Sequence, residues 1–268
     1  MPKALTSLER VCCIAAVCAA LAAGCGKPRE SFTLAGSTAF QPFAEKLADI
    51  YMERHQDVSI NIQGGGSALG IYAAVSGAAQ VGMADLVKLP PEADALKNMI
   101  VAREGIAIVL NPANAVTALT MEQVRGIFSG SLKNWKALGG ADHPIAVISR
   151  EAGSGTRTSF EQIIGSKTLA PNALIQDSNG TIRETVANDA HAIGYLSHGL
   201  ISEKVKPVSV DGHPCSEEAI MAGDYTLIRP VFLVYRPDVS PACRAFLDYL
   251  LSDEAQELLH TNGLIKAK

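Results

Sequence analysis

Short apolar or alternating segments along the chain are followed by small polar turns and then by apolar residues at helical spacing. Runs of about four to eight apolar residues indicate strands, whereas apolar residues three and four positions apart indicate amphipathic helices. The predicted strands are 31–35, 57–62, 80–85, 99–102, 105–110, 144–149, 173–176, 191–197, 205–210 and 227–235. The predicted helices are 43–55, 71–79, 119–128, 158–164, 182–188, 216–221 and 241–260. This alternation predicts an α/β fold with mostly parallel sheets.

The composition is that of a globular protein with a small acidic excess. Its 268 residues are 48% hydrophobic and 19% charged, and the length is sufficient for two domains of ordinary size. The chain has 23 basic and 27 acidic residues, so its formal net charge is −4. An acidic chain without basic tracts argues against nucleic acid as a partner. Any bound anion must therefore be held by local dipoles and a few arginines.

The first 25 residues have the features of an export signal. A short basic start precedes an apolar run over 11–20, which is too short to span a bilayer. The sequence Leu-Ala-Ala-Gly-Cys at 21–25 is similar to the processing site of bacterial lipoproteins, in which the cysteine is acylated. We therefore expect residues 1–25 to be a lipoprotein signal with Cys25 as the lipidated residue. A plain secretory signal is the alternative, and both predict a protein in the periplasm or at the cell surface.

Only two cysteines lie beyond this segment. Cys215 and Cys243 are not part of a Cys-x-x-Cys pair, which argues against a thiolate metal site or a thioredoxin-like motif. One disulfide in an oxidising compartment and two buried free thiols both agree with the sequence. The six histidines also lack the spacing of a metal site. We expect neither a metal nor a cofactor.

Four turns share one design, in which a strand ends, small and hydroxylated residues follow, and a helix begins. They are 36–40, 64–70, 150–157 and 177–181. The first N–H groups of a helix have no intrahelical partner, so each of these turns is suited to bind an anion. In the third turn, Arg150 adds a guanidinium group, and Ser154 and Thr156 add hydroxyl donors for a tetrahedral oxyanion. If the turns meet at the carboxyl ends of the strands, they form an anion cage.

Each turn also has an ordinary structural explanation. Serine and threonine commonly cap helices, and the glycines at 64–66 would let a strand turn sharply. The glycine loop lacks the Lys-Ser/Thr ending of a nucleotide-binding P-loop, and Asp85 alone is typical of a turn. Catalysis has less support, because no Gly-x-Ser-x-Gly sequence surrounds Ser37, Ser67 or Ser154.

Several motifs together carry a resemblance to a known family. The matching segments are Gly36-Ser37-Thr38, Gly64-Gly65-Gly66-Ser67, Gly82-Met83-Ala84-Asp85, Ile127-Phe128-Ser129-Gly130 with Asn134-Trp135, Arg150 with Ser154-Gly155-Thr156, Asn179-Gly180, and Ala192-Ile193-Gly194-Tyr195. Through these segments, residues 31–266 resemble the phosphate-binding proteins of bacterial phosphate ABC transporters. The Ile-Phe-x-Gly…Asn-Trp segment and the Arg-x-x-x-Ser-Gly-Thr turn are the most specific of them.

The resemblance implies a two-lobed α/β fold of the type II periplasmic-binding-protein class. Two crossing strands join the lobes and act as a hinge, so that the lobes close on the ligand. By resemblance, residues 106–110 and 227–234 are the crossings. The first lobe is expected to comprise residues 26–107 and 228–268, and the second lobe residues 108–227.

The resemblance also implies which residues bind phosphate. The first lobe is expected to contribute Thr38, Ala39, Phe40, Ser67 and Asp85, and the second lobe Arg150, Ser154, Gly155 and Thr156. Other members have a second hydroxyl group at the position of Ala39, so this chain offers only a backbone N–H there.

Asp85 and Arg150 have distinct expected roles in such a site. Phosphate near neutral pH keeps at least one proton, whereas sulfate keeps none. Asp85 is therefore expected to accept a hydrogen bond from phosphate and to repel sulfate. Arg150 is expected to pair with phosphate and also with Asp85. Trp135, the only tryptophan, is expected first to be a core residue.

The implied function is that of a non-enzymatic protein that traps phosphate by lobe closure and delivers it to a permease. The expected partners are inorganic phosphate, the transmembrane permease of an ABC transporter and, through the lipid on Cys25, the membrane. We expect a monomer. Two alternatives stay open: a phosphate-releasing hydrolase that uses the same anion cage, and a phosphate sensor without transport.

Overall fold

The computed structural model of the protein describes residues 29–267, so the predicted export signal and Cys25 lie outside the described residues. The strands are β1 (Glu30–Gly36), β2 (Val58–Gln63), β3 (Val81–Asp85), β4 (Lys97–Leu110), β5 (Ala118–Leu119), β6 (Ala146–Arg150), β7 (Leu174–Gln176), β8 (Ala192–Ser197), β9 (Lys206–Pro207), β10 (Ser209–Val210), β11 (Ile228–Tyr235) and β12 (Ile265–Lys266). The helices are α1 (Gln41–Arg54), α2 (Ser67–Ser76), α3 (Met121–Ser129), α4 (Gly155–Ile164), α5 (Asn179–Ala187), α6 (Glu217–Ala222), α7 (Pro241–Tyr249) and α8 (Asp253–Thr261).

Eight of the strands follow one another in a single sheet, in the order β2-β1-β3-β11-β4-β8-β6-β7. At one end β1 pairs in parallel with β2 and β3, and at the other β6 pairs in parallel with β7 and β8. The central strands β4 and β11 run antiparallel to each other and to their outer neighbours. The sheet is therefore mixed, and the prediction of mostly parallel sheets holds only for its two ends.

The long strand β4 joins two halves of the molecule, a first half built on β1 to β3 and a second half built on β6 to β8. Its first part pairs with β11 as far as Gly105, and its second part, from Ile106 onward, pairs with β8. The chain returns beside this point, because the N–H of Ile106 donates to the carbonyl of Leu227 at 2.7 Å. Separate hydrophobic core clusters lie on the two sides of the crossing. This two-lobed α/β architecture agrees with the predicted fold class.

Two predicted strands around residue 104 form the single strand β4. Arg103 and Glu104 interrupt the apolar pattern there, which suggested a break. Glu104 is instead buried and paired with Arg229 on β11, so the strand continues through its charged residues. The predicted strand 205–210 is likewise divided into the short strands β9 and β10.

The prediction of one final helix over residues 241–260 is wrong. The structure has two helices there, α7 and α8. Ser252 begins the second, since its Oγ accepts a hydrogen bond from the N–H of Ala255 at 3.3 Å, and two acidic residues follow in the first turn. A capping serine followed by acidic residues is a helix start signal, and it outweighs the continuous apolar face.

Trp135 is a core residue, as predicted, and its indole Nε1 donates to the carbonyl of His191 at 2.8 Å. Cys215 and Cys243 are free thiols that lie in the two different core clusters, so they do not form a disulfide. Within residues 29–267, no helix combines the length and the apolar character needed to cross a membrane.

Candidate functional site

The four turns singled out in the sequence meet at the junction between the two halves. Two hydrogen bonds join them across this junction. The N–H of Ala68, in the glycine-rich turn, donates to the carbonyl of Gly153 at 3.2 Å. The side-chain Nδ2 of Asn179 donates to Oγ1 of Thr38, also at 3.2 Å. The structure thus brings residues of the first half against the two turns of the second half.

In the turn after β1, the backbone N–H groups donate to Ser37, a residue that was not among the predicted site residues. The N–H groups of Ala39 and Phe40 donate to Oγ of Ser37 at 3.1 and 3.0 Å. Ser37 in turn donates its hydroxyl hydrogen to Oδ2 of Asp85. A serine hydroxyl that accepts from the next backbone N–H groups is a common local turn contact. In this conformation, Ser37 therefore satisfies the N–H groups that were expected to face the anion.

Ser67 and Asp85 lie together at the end of the first half's sheet. Ser67 is the first residue of α2, and its Oγ accepts a hydrogen bond from the N–H of Asp85 at 3.0 Å. Asp85 is the last residue of β3, and its carbonyl accepts from Oγ of Ser159 in the second half at 3.2 Å. Both residues are 2% exposed. The structure thus places these two predicted site residues side by side.

The predicted residues of the second half form the first turn of α4. Ser154 caps this helix, since its Oγ accepts a hydrogen bond from the N–H of Arg157 at 3.2 Å. Gly155 and Thr156 follow as its first helical residues, and both are buried. Gly155 lies so close to the first half that a β-carbon on it would be 2.0 Å from Oγ of Ser67. Only glycine allows this approach of the two halves.

Arg150 is buried at the end of β6, but its expected pairing with Asp85 is wrong. Its Nε and Nη2 donate to the two carboxylate oxygens of Glu151, each at 2.8 Å. Nη2 also donates to the carbonyl of Asp177 at 3.1 Å. The adjacent residue thus supplies the carboxylate, and a bidentate pair of this kind fixes the guanidinium group.

The cation next to Asp85 is Arg229, on the central strand β11. Its Nη2 lies 3.8 Å from Oδ2 of Asp85. The same group pairs with Glu104, since Nε and Nη2 donate to Oε1 at 2.9 and 2.6 Å. Ser197 donates its hydroxyl hydrogen to the other oxygen of Glu104.

The predicted site lacked five residues that the structure places there. They are Ser37, Glu104, Asn179, Ser197 and Arg229. A sequence signal exists for Arg229 and Glu104, because each interrupts a strongly apolar segment that is typical of a buried strand. A charge buried in a strand requires a partner, so this signal indicates that each residue is paired, but it does not identify the partner.

Burial raises the pKa of Asp85 to about 6, because removal from water disfavours the charged form of a carboxyl group. The nearby Arg229 opposes this rise, and the negative charge of Glu104 adds to it. The hydrogen bond from Ser37 and the more distant charge of Arg150 also oppose it. Near neutral pH Asp85 is mainly a carboxylate, and it gains a proton as the pH falls below about 6.

Three buried polar atoms of this site have no hydrogen-bond partner among the described residues. They are Oδ1 of Asp85, Nη1 of Arg150 and Nη1 of Arg229. Buried polar atoms are nearly always paired, so each of these calls for a partner of its own. One is an acceptor and two are charged donors, which suits an oxyanion that carries at least one proton. Among residues 29–267, no group of three or more histidine, cysteine or acidic residues has the arrangement of a metal site.

Comparison with known proteins adds independent information. A family model described as a PBP superfamily domain matches residues 22–254. Phosphate-binding protein PstS of Bacillus subtilis (strain 168) is 32% identical over 240 residues, which cover 88% of this chain and 80% of that protein. The protein of the same name from Borreliella burgdorferi is 23% identical over 251 residues, which cover 88% and 90%.

Solved structures show the same similarity. A protein from Clostridium perfringens, described as a phosphate ABC transporter substrate-binding protein and crystallised with bound phosphate, matches with a TM-score of 0.87 and 37% identity. The match covers 89% of this chain and 100% of that chain. An ABC-type phosphate transport receptor from Vibrio cholerae matches with a TM-score of 0.74 and 34% identity, over 87% and 99% of the two chains.

Proposed function

Because this chain belongs to the PstS-type phosphate-binding proteins of the PBP superfamily, we propose that it captures inorganic phosphate between its lobes and delivers it to the permease of an ABC transporter. The observation that carries this proposal is that one buried atom on each of Asp85, Arg150 and Arg229 has no hydrogen-bond partner within residues 29–267. Two charged donors suit the unprotonated oxygens of phosphate, and the carboxylate suits its hydroxyl group. An ion held in this way satisfies all three atoms at once.

The proposed binding residues are Arg229 and the nine residues named in the sequence analysis. Those nine are Thr38, Ala39, Phe40, Ser67 and Asp85 of the first lobe and Arg150, Ser154, Gly155 and Thr156 of the second. The hydrogen bonds between Ala68 and Gly153 and between Asn179 and Thr38 support a closed arrangement in which both sets face one ion. In our proposal, phosphate competes with Oγ of Ser37 for the N–H groups of the first turn.

The proposed lobes are residues 26–107 with 228–268, and residues 108–227. The two core clusters support this division, because the chain passes from one to the other between Ala102 and Ile106 and again between Leu227 and Val231. Ile265, near the end of the chain, is an exception, because it packs in the cluster of the second lobe. With two crossing segments between separate cores, the lobes can open and close as rigid bodies.

We further propose that the protein acts outside the cytoplasm, as a monomer anchored through a lipid on Cys25. The Leu-Ala-Ala-Gly-Cys sequence at 21–25 supports this anchor. Metabolic labelling with a fatty acid tests it, because the label should be absent from the Cys25→Ser variant. Label retained by that variant would contradict the proposed anchor.

No chemical step is part of the proposed role. The contact between Ser37 and Asp85 places a hydroxyl group beside a carboxylate, and it is the observation that favours a hydrolase instead. Ser37 also accepts hydrogen bonds from two backbone N–H groups, which is typical of a turn residue.

One titration tests the proposed function. We expect calorimetry with the soluble part of the chain, from residue 26 onward, to show one phosphate bound per protein and much weaker binding of sulfate. The same preparation should not hydrolyse p-nitrophenyl phosphate. Absence of phosphate binding would contradict the proposal, and steady turnover would favour the hydrolase.

Gly155→Ala should weaken phosphate binding by about 1–3 kcal/mol, the usual penalty of overpacking a close contact. The added β-carbon would lie 2.0 Å from Oγ of Ser67 and 2.6 Å from the carbonyl oxygen of Asp85, so it opposes closure of the lobes. Gly153→Ala is the matched control, because its β-carbon would meet nothing nearer than Ala68 at 3.8 Å. Calorimetry of both variants checks the prediction, and equal affinities would contradict it.

A further inference from the structure

The two central strands carry a buried ion pair that no predicted role explains. Arg229 on β11 lies directly opposite Glu104 on β4 in the antiparallel ladder. Both side chains are completely buried, and their charged groups meet through two hydrogen bonds to a single carboxylate oxygen. A buried pair of this kind is weak evidence for a role in stability, because removing two charges from water costs about as much as their attraction returns.

This pair is part of the candidate site. Asp85 lies opposite Val231 in the neighbouring ladder, two residues along β11 from Arg229. Nη2 of Arg229 is 3.8 Å from Asp85 Oδ2, and its Nη1 is one of the buried atoms without a partner among the described residues. The second oxygen of Glu104 is held by the hydroxyl group of Ser197 in the other half. A chain of charges therefore runs from Glu104 through Arg229 to the carboxylate that faces the ligand.

We propose that Glu104, by neutralising Arg229, sets the selectivity of the site for a protonated oxyanion over a fully ionised one. This inference rests on the proposed function, and it assigns Glu104 and Arg229 as residues that determine specificity. Without Glu104, the full positive charge of Arg229 would offset Asp85. Asp85 would then repel a sulfate dianion less and accept the phosphate hydroxyl group less strongly. With Glu104 in place, Arg229 is neutralised, and the negative charge of Asp85 acts on the bound anion almost in full.

The Glu104→Gln variant tests this directly, because glutamine has the same shape and can still hydrogen-bond to Arg229 and Ser197. We expect the ratio of phosphate affinity to sulfate affinity to fall by about tenfold or more, mainly through tighter sulfate binding. Sulfate has no proton to place against Asp85, so it gains most when the freed charge of Arg229 offsets that carboxylate at close range. Calorimetry with each anion at about pH 7.5 gives the ratio. Glu254→Gln is the matched control, since it breaks an exposed bidentate pair with Arg54.

The double variant Glu104→Gln/Arg229→Met separates the effect of charge from the effect of packing. It removes both charges of the pair, so it can still be tested if the single variant, with an unpaired arginine, does not fold. Removal of both charges should return the ratio to the wild-type value or above it. If Glu104 had only a structural role, the single variant would bind phosphate and sulfate more weakly by the same factor. That result would overturn the inference. A ratio below wild type in the double variant would also overturn it. Failure of the wild-type protein to bind phosphate at all would instead overturn the proposed function.

Discussion

Replacing Arg150 by alanine should weaken phosphate binding by about 2–5 kcal/mol, which is the range for removing one partner of a buried, hydrogen-bonded charge pair. Arg150 is 1% exposed, and its Nη1 has no partner within residues 29–267. The substitution removes a charged donor from the site and also leaves Glu151 without its cation. Both effects make the site less favourable for an anion, so the loss should appear for phosphate and sulfate alike.

Arg150→Lys and Arg54→Ala complete this experiment. Lysine keeps the charge but cannot hold Glu151 through two parallel hydrogen bonds while presenting a further donor, so we expect an intermediate loss. Arg54 is an exposed arginine in an ion pair with Glu254, and its removal should leave phosphate affinity unchanged. Calorimetry at one pH and salt concentration compares the three variants. If Arg150→Ala bound phosphate as tightly as wild type, Arg150 would have no place in the site.

Local sequence signals located the parts of the site that are formed by residues close together in the sequence. Each strand, its small polar turn and the helix that follows are encoded within a short continuous segment, and hydrophobic spacing and capping chemistry reveal them. Ser154 is an example, because a capping serine was the ordinary explanation of its turn and its side chain does cap α4, which begins three residues before the predicted start at 158. Four such turns with one design at the carboxyl ends of strands pointed to an anion site.

The identity of the charge partners could not be predicted in the same way. Arg229 and Glu104 are 125 residues apart in the sequence, and only the register between β4 and β11 brings them together. Arg150 was assigned to Asp85 because both were expected in one site, but Glu151 is the adjacent residue and reaches the guanidinium group first. Side-chain competition of this kind depends on distances that a sequence pattern does not contain.

Asp85→Asn should increase sulfate affinity by about 10–100-fold, which corresponds to removal of a buried carboxylate oxygen that sulfate leaves without a hydrogen bond. Asp85 is buried, and its Oδ1 has no partner among the described residues, so a fully ionised anion would meet its negative charge without a proton between them. Phosphate brings that proton and should lose little affinity, because the amide oxygen of asparagine still accepts a hydrogen bond. The ratio of phosphate to sulfate affinity should therefore fall, and Asp142→Asn, an exposed site, should leave it unchanged.

The pH dependence of sulfate binding distinguishes this explanation from a change in packing. Burial raises the pKa of Asp85 to about 6, so the wild-type carboxyl group gains a proton as the pH falls through this value and becomes a donor. Sulfate stays a dianion over the same range, so its binding to wild type should tighten between about pH 7.5 and pH 5. The asparagine side chain of the Asp85→Asn variant has no proton to gain, and the variant should bind sulfate with nearly constant affinity. Calorimetric titrations at several pH values in chloride buffers measure both curves, and parallel curves for the two proteins would show that Asp85 does not control the selectivity.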